Sequence, residues 1–121
     1  MGVIGLGEVA QIVHLPILEN LSDRFQLAAI CDVSPTLLAA VGERYGVPAE
    51  TRFADFDELV AHPDLDAVLV LTADEYHADA TIAAARNGKH VFVEKPLCLT
   101  LAEGEAIVRA RDEGGVRLMV G

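Results

Sequence analysis

The sequence predicts an α/β fold in which a doubly wound parallel sheet lies between two layers of helices. Short apolar runs rich in Val, Ile and Leu alternate along the chain with longer segments of helical period, as in parallel strands joined by crossover helices. Several of these runs are continuously apolar, which is typical of strands covered on both faces. With 121 residues, the chain fits one domain of ordinary size, residues 1–121.

Five segments are predicted to be strands, and a sixth is weaker. The weak segment, 47–53, contains Pro48 and is therefore placed at an edge of the sheet. Helices are expected between the strands on both faces, because parallel strands need right-handed crossovers. The five stronger strands are 1–5, 26–32, 67–71, 90–94 and 117–120.

The ends of the helices are marked by capping residues. Serine before proline is typical of a helix start, and glycine is typical of a helix end. An acidic residue three positions after Thr or Asp has the spacing of a capping box. These signals occur at Ser34-Pro35 with Gly46, at Asp55 with Glu58, at Asn87-Gly88 and at Thr100 with Glu103.

Composition excludes several classes of function. The formal charge is −10, from 19 acidic and 9 basic residues, and such a field repels nucleic acid and anionic membranes. No apolar run is as long as a membrane span, and no basic leader precedes the first strand. Cys31 and Cys98 lie far apart, and no metal-ligand spacing connects them with the histidines. We therefore expect a cytoplasmic protein with reduced thiols and no metal, nucleic-acid or membrane partner.

The stretch GVIGLGEVAQIVHLP, residues 2–16, interrupts an apolar run with two glycines and then resumes with helical period. In the resulting pattern G-x-G-x-x-A, the first glycine permits a tight bend and the second lets a pyrophosphate approach the backbone. The small third residue lets helix and strand pack closely. Because the net charge is negative, the N–H groups and the positive end of the helix must hold the anion locally. The predicted contacts are Gly5, Leu6, Gly7, Glu8, Val9 and Ala10.

An acidic residue expected beside the adenosine ribose is also present. Asp32 ends the second strand, about twenty residues after the glycine turn. Its carboxylate can accept hydrogen bonds from the ribose hydroxyls and would repel a 2′-phosphate. No Arg follows in DVSPT, so NAD is predicted as the cofactor in preference to NADP. The alternative for the glycine pattern is a tight turn that binds no ligand.

Further candidates stand at the ends of the fourth and fifth strands. Leu71 and Thr72 end the fourth strand, and His77 begins the helix that follows. Glu94 and Lys95 end the fifth strand. Because the carboxyl ends of parallel strands meet at one edge of the sheet, these distant residues are expected to converge where ligands bind.

The end of the fifth strand, VEKPL, has the most distinctive chemistry. Adjacent residues of a strand point to opposite faces, so Glu94 and Lys95 are not expected to pair with each other. Pro96 stops the strand, restricts Lys95 to extended geometry and makes a cis peptide bond a candidate. A lysine fixed there could reach a substrate oxygen and stabilise a developing alkoxide. The alternative is a solvated strand end with a turn proline.

Together, these segments resemble the N-terminal half of the glucose-fructose oxidoreductase, inositol 2-dehydrogenase and rhizopine-catabolism protein family (Gfo/Idh/MocA). The resemblance covers GVIGLGEVAQIVHLP, AAICDVSP, DLDAVLVLT, NGKHVFVEKPL and TLAEGEAIV. It implies a Rossmann fold, in three α/β/α layers, that binds NAD(P), with Lys95 catalytic or orienting the substrate. One local departure is TADEYH, where Ala73 and Asp74 replace a frequent Pro-Asn pair.

The resemblance also implies what the full-length parent does. The parent is expected to transfer a hydride between a nicotinamide cofactor and a sugar, polyol or related hydroxyl compound. A second α/β domain, absent from these 121 residues, supplies the substrate pocket, the acid/base residue and a homo-oligomer interface. We therefore expect this chain alone to bind dinucleotide without turnover.

Two other functions stay open at this point. The same fold could serve a non-catalytic dinucleotide sensor, although a sensor has no need of a substrate-facing Lys95. A domain for another nucleotide, such as S-adenosylmethionine, would explain the glycine turn and Asp32 but not VEKPL. His14, on the first helix, is predicted to be a packed or capping histidine rather than a ligand.

Overall fold

The computed structural model describes all 121 residues and contains six strands and five helices, together with two short 3₁₀ turns. The strands are β1 (Gly2–Ile4), β2 (Ala29–Cys31), β3 (Arg52–Phe53), β4 (Ala67–Val70), β5 (His90–Val93) and β6 (Leu118–Val120). Helix α1 consists of a π-helical segment (Ala10–His14) followed by Leu15–Asn20. The other helices are α2 (Pro35–Tyr45), α3 (Phe56–Val60), α4 (His77–Arg86) and α5 (Leu101–Gly114).

All six strands form one parallel sheet in the order β3-β2-β1-β4-β5-β6. The central residue of β1, Val3, is in register with Ile30 of β2 and Leu69 of β4. The chain therefore runs outward from β1 to β3, returns to β4 beside β1 and then runs outward in the other direction. This reversal of strand order confirms the predicted doubly wound fold, and it lies between β1 and β4, the position at which sheets of this kind bind ligands.

Successive residues of each strand face opposite layers, which gives the molecule two cores. On one face, Ile4 and Val70 pack in a cluster with Leu59 of α3 and Ala80 of α4. On the other face, Val3, Ile30 and Leu69 pack with Ala10 and Leu15 of α1 and Val41 of α2. The alternation follows from the two-residue period of a strand, and it produces the three layers expected from the sequence.

The predicted capping residues mostly act as expected. Ser34 accepts a hydrogen bond from the Leu37 N–H at 3.3 Å. Thr100 and Glu103 form both bonds of a capping box. Asp55, in contrast, accepts from the Asp57 N–H at 2.9 Å and forms no reciprocal bond with Glu58. Asp55 therefore caps α3 by itself.

The π-helical start of α1 is a feature that the sequence pattern does not predict. The Leu15 N–H donates to the Ala10 carbonyl, five residues earlier. Pro16, two positions into the following turn, lacks an N–H and its ring would clash with the carbonyl four residues before it. A locally widened turn relieves that clash.

None of the helices has the length and apolar composition needed to cross a membrane.

Candidate functional site

The glycine turn between β1 and α1 has three positions with different steric demands. Gly5 has φ of +90°, and a Cβ there would lie 2.6 Å from the Leu71 carbonyl oxygen. A Cβ on Gly7 would meet no atom within 4 Å. Ala10 is fully buried in the core beneath α1. The bend therefore requires glycine at the first position, open space adjoins the second, and close packing demands a small residue at the third.

Asp32 is oriented toward this turn by the backbone. Its Oδ2 accepts a hydrogen bond from the Leu6 N–H at 2.8 Å, and its Oδ1 accepts from the Ser34 N–H at 2.8 Å. A carboxylate oxygen can accept more than one hydrogen bond, so both oxygens keep acceptor capacity for a ligand. The two bonds leave the carboxylate beside the glycine turn in a fixed orientation.

A cleft of about 450 Å³ opens at the carboxyl ends of β1, β2 and β4. Gly5, Asp32, Thr72, Ala73 and Tyr76 are among the residues that line it. It lies at the reversal of strand order, where ligands bind in sheets of this kind. A larger, more open surface cavity of about 650 Å³ lies against β4, β5 and β6, and none of the predicted site residues lines it.

The Thr72 side chain places a hydroxyl group in the wall of the cleft. Its Oγ1 is buried and has no hydrogen-bond partner. A buried hydroxyl without a partner is costly, and a ligand hydroxyl or phosphate oxygen would supply one. With the open space at Gly7 and the acceptors of Asp32, the residues present suit a dinucleotide. No group of three or more metal-ligating side chains lies together.

His77, a predicted cofactor neighbour, is held inside the protein. The side chain is 1% exposed. Its Nδ1 lies 2.6 Å from the Pro96 carbonyl oxygen, and its Nε2 lies 3.0 Å from that of Thr72. His77 thus bridges the backbone after β4 and the backbone after β5, with both ring nitrogens occupied.

Glu94 and Lys95, at the end of β5, have different surroundings. Glu94 Oε1 lies 2.8 Å from His14 Nε2, and this hydrogen bond is the main cause that lowers the pKa of Glu94. Its Oε2 accepts from the Lys95 N–H at 3.2 Å. The Lys95 side chain is exposed and has no ion-pair partner. The Lys95–Pro96 peptide bond is cis.

His14 is the residue that sequence reasoning missed. It lies 80 positions from Glu94 in the sequence, and its ring packs beside Phe92 with the centroids 5.3 Å apart. The prediction of a packed or capping histidine is partly correct, because the ring packs beside Phe92 but also contacts the Glu94 carboxylate. No local pattern indicates that α1 crosses the end of β5 at this residue.

The glycine turn, the carboxylate held beside it and the cleft at the strand reversal define a dinucleotide-binding domain. The chain belongs to the oxidoreductase family with an NAD-binding Rossmann fold (GFO/IDH/MocA), whose family model matches residues 1–121. The resemblance seen in the sequence is therefore confirmed.

Named relatives agree with this assignment. The chain is 39% identical over its whole length to myo-inositol 2-dehydrogenase of Thermotoga maritima, covering 35% of that protein. It is 34% identical to scyllo-inositol 2-dehydrogenase (NADP⁺) of Bacillus subtilis, over 99% of this chain and 32% of that protein. In structure, it resembles the WlbA dehydrogenase of Bordetella pertussis in complex with NADH and UDP-GlcNAcA. That match has a TM-score of 0.91 and 32% identity, over 99% of this chain and 36% of the other.

The chain spans about a third of the length of these relatives. They are dehydrogenases, and none of them is a regulatory module, so the sensor alternative has no support. Their names include both a complex with NADH and an enzyme that uses NADP⁺, so family membership alone leaves the choice between the two cofactors open.

Proposed function

We propose that this chain is the NAD(H)-binding domain of an oxidoreductase that acts on a sugar, polyol or related hydroxyl compound. The observation that carries the proposal is the Asp32 carboxylate, held by the Leu6 N–H beside the open backbone of Gly7. The same turn would thereby receive both the pyrophosphate and the adjoining ribose.

The pyrophosphate is held by backbone groups. The first N–H groups of a helix have no partner within it and lie at its positive end. The proposed contacts lie within residues 5–10. Gly5 and Leu6 already donate their N–H groups to Cys31 and Asp32, so the donors to the anion begin at Gly7, where a Cβ would meet no atom. Because the chain carries a charge of −10, this local arrangement must outweigh a repulsive long-range field.

NAD(H) is the preferred cofactor in this proposal. The ribose hydroxyls donate to Asp32, whose oxygens keep free acceptor capacity. A 2′-phosphate would stand close to the same carboxylate, and no Arg follows it in the sequence. Thr72 Oγ1, unpartnered in the cleft wall, donates to or accepts from the cofactor, and Leu71 adjoins it.

Lys95 is the residue proposed to act in the reaction. When bound, the nicotinamide supplies or accepts the hydride. The exposed Lys95 ammonium, at the end of β5, hydrogen-bonds the substrate oxygen and stabilises the negative charge that develops on it. Glu94 and His77 support this end of the site.

The two cysteines are unpaired, and this supports a cytoplasmic location for the parent protein. The cofactor and a small hydroxyl substrate are the partners proposed for it.

Titration calorimetry with NADH and NADPH tests the cofactor proposal directly. The wild-type chain should bind NADH more tightly than NADPH. Asp32→Ala should weaken NADH binding about tenfold or more, the size expected for hydrogen bonds to a charged group, and should reduce the discrimination against NADPH. Gly7→Ala should weaken both nucleotides, because the methyl group occupies the space that the pyrophosphate needs.

Circular dichroism melting of each variant provides the control. Gly7→Ala should melt like the wild type, since its methyl group contacts nothing in the protein. If folded Gly7→Ala binds NADH as well as the wild type does, the pyrophosphate does not lie over this turn. If the folded wild-type chain binds neither nucleotide, the proposed function is wrong.

A further inference from the structure

We propose that His14 and His77 are positioning residues for Lys95, which hold the backbone on either side of it from two different helices. This inference rests on the role proposed for Lys95. Neither histidine is proposed to touch the substrate.

His14 acts from α1 through the side chain of Glu94. The His14 Nε2 to Glu94 Oε1 distance is 2.8 Å, and the two side chains are only 14% and 21% exposed. The second oxygen of Glu94 accepts from the Lys95 N–H at 3.2 Å. One carboxylate therefore connects α1 to the backbone of Lys95.

His77 acts from the start of α4 through the carbonyl of Pro96. Its ring lies between that carbonyl oxygen, at 2.6 Å from Nδ1, and the Thr72 carbonyl oxygen, at 3.0 Å from Nε2. Carbonyl oxygens only accept hydrogen bonds and a neutral imidazole carries a single N–H, so His77 donates to one of the two carbonyls, as its tautomer determines, and packs against the other. It fastens the segment after β5 to the cleft wall formed after β4.

Lys95 needs such support because nothing holds its own side chain. Strand β5 ends at Val93, and Lys95 lies beyond the ladder, exposed and without an ion-pair partner. A lysine stem has four rotatable bonds, so the position of its backbone determines which volume the ammonium samples. Hydrogen bonds to Glu94 and Pro96 restrict that backbone on both sides.

The other two histidines make hydrogen bonds away from Lys95 and supply matched controls. His62 Nδ1 accepts from the Asp64 N–H at 3.3 Å, two residues away. His90, at the opposite end of β5, accepts from the Arg117 N–H at 3.0 Å. Neither contact involves residues 94–96.

Hydrogen exchange of the nucleotide-free chain tests the positioning roles. His14→Ala should accelerate exchange of the Glu94 and Lys95 amides about tenfold, as expected for loss of a hydrogen bond to a charged group. His14→Gln, which restores an N–H donor, should recover most of the protection. His77→Asn should accelerate exchange of the same amides, and His62→Ala should leave it unchanged. A double-mutant cycle with Glu94→Gln should show that His14→Ala has little further effect once the carboxylate is gone.

A second readout observes the lysine itself. The chain has two lysines, Lys89 and Lys95, so selective ¹³Cε labelling gives two resonances. Lys89 is buried and donates to the carbonyls of His62 and Leu65 at 2.8 Å, which makes it an internal reference. The Lys95 resonance should shift in His14→Ala and His77→Asn, while that of Lys89 stays in place.

Unchanged exchange of the Glu94 and Lys95 amides in both histidine variants would overturn the inference. So would faster exchange spread evenly over the chain with a lower melting temperature, because that result indicates a general structural role. Since these measurements use no cofactor, they remain decisive even if NADH fails to bind, an outcome that would contradict only the proposed function.

Discussion

The reactivity of a single residue at this site depends on its surroundings, as the thiol of Cys31 shows. It ends β2, immediately before Asp32, and lines the cleft. Burial raises the pKa of the Cys31 thiol to about 12, and the carboxylates of Asp32, Asp55 and Glu58 add to the effect. The thiolate is the reactive form of cysteine, so Cys31 is inert near neutral pH.

Thiol titration of the folded chain with Ellman's reagent should distinguish the two cysteines. Cys98 is partly exposed and should react first, whereas Cys31 should react only as the protein unfolds. In the variant Cys98→Ser, the fast phase should disappear. Rapid modification of Cys31 in the folded variant would show that its thiol is accessible and reactive.

The Glu94 carboxylate predicts a pH dependence of stability. Its pKa is lowered from the ordinary value of 4.5, chiefly by the His14 hydrogen bond and also by the Lys95 N–H. A carboxyl whose pKa is lower in the folded state contributes stability above its unfolded pKa, and this contribution is lost as pH falls through the folded value. The stability difference between the wild type and Glu94→Gln should therefore be present above the ordinary pKa of 4.5 and should shrink as the pH falls below it.

Urea melts of both proteins between pH 7 and pH 3 measure this difference. The Glu103→Gln variant is a useful comparison, because its carboxyl pKa is also lowered, by the N–H groups of Leu99 and Thr100 at the α5 cap. A stability difference for Glu94→Gln that does not vary with pH would contradict the hydrogen bond to His14.

At the scale of elements, the turn between β1 and α1 combines a folding requirement with a binding requirement. Gly5 serves the fold, because its positive φ and its approach to the Leu71 backbone exclude a side chain. Gly7 serves the ligand, because a Cβ there would meet no protein atom within 4 Å and would contact only a bound ligand. Two glycines in one motif should therefore respond differently to the same substitution.

Gly5→Ala should destabilise the chain, whereas Gly7→Ala should not. A non-glycine residue with this backbone costs about 1–3 kcal/mol, and the methyl group of Gly5→Ala would also press against a backbone oxygen that cannot move freely. Chemical denaturation measures both free energies of unfolding. Equal stability of the two variants would show that the turn is not built in this way.

At the scale of the whole molecule, the carboxyl-end edge of the sheet holds the proposed cofactor-binding residues but little that could enclose a substrate. The Lys95 side chain is exposed at that edge, and large apolar residues of α1 and α5 are also exposed, among them Ile12 and Leu101. The relatives are about three times as long as the chain. Such an open site can still bind a cofactor. It leaves water in contact with the reacting atoms, however, whereas an enzyme active site excludes water during the reaction.

The 121-residue chain should therefore bind NADH without turning over substrate. The measurement is NADH formation from NAD⁺ and myo-inositol, followed by absorbance, with the Thermotoga maritima enzyme as the positive control. Robust turnover by the chain alone would contradict this expectation and would show that these residues form a complete active site.

Much of the site could be predicted from the sequence, because its chemistry is local. The glycine turn follows from steric limits on residues 5–10, and Asp32 follows from its place at the end of a strand. The alternation of apolar runs and capped helices was sufficient to predict the parallel sheet. The π-helical segment of α1 lay beyond such reasoning, since the effect of Pro16 on the preceding turn depends on packing.

The sequence alone thus determined the fold class, the turn, the acid beside it and the lysine at the end of β5. Each depends on the conformational preferences or spacing of neighbouring residues. The tertiary structure alone decided that His14 meets Glu94 across 80 positions and that His77 turns inward to bridge Thr72 and Pro96. Those contacts depend on strand order and on the rotation of each helix against the sheet, which are set by packing of the whole chain.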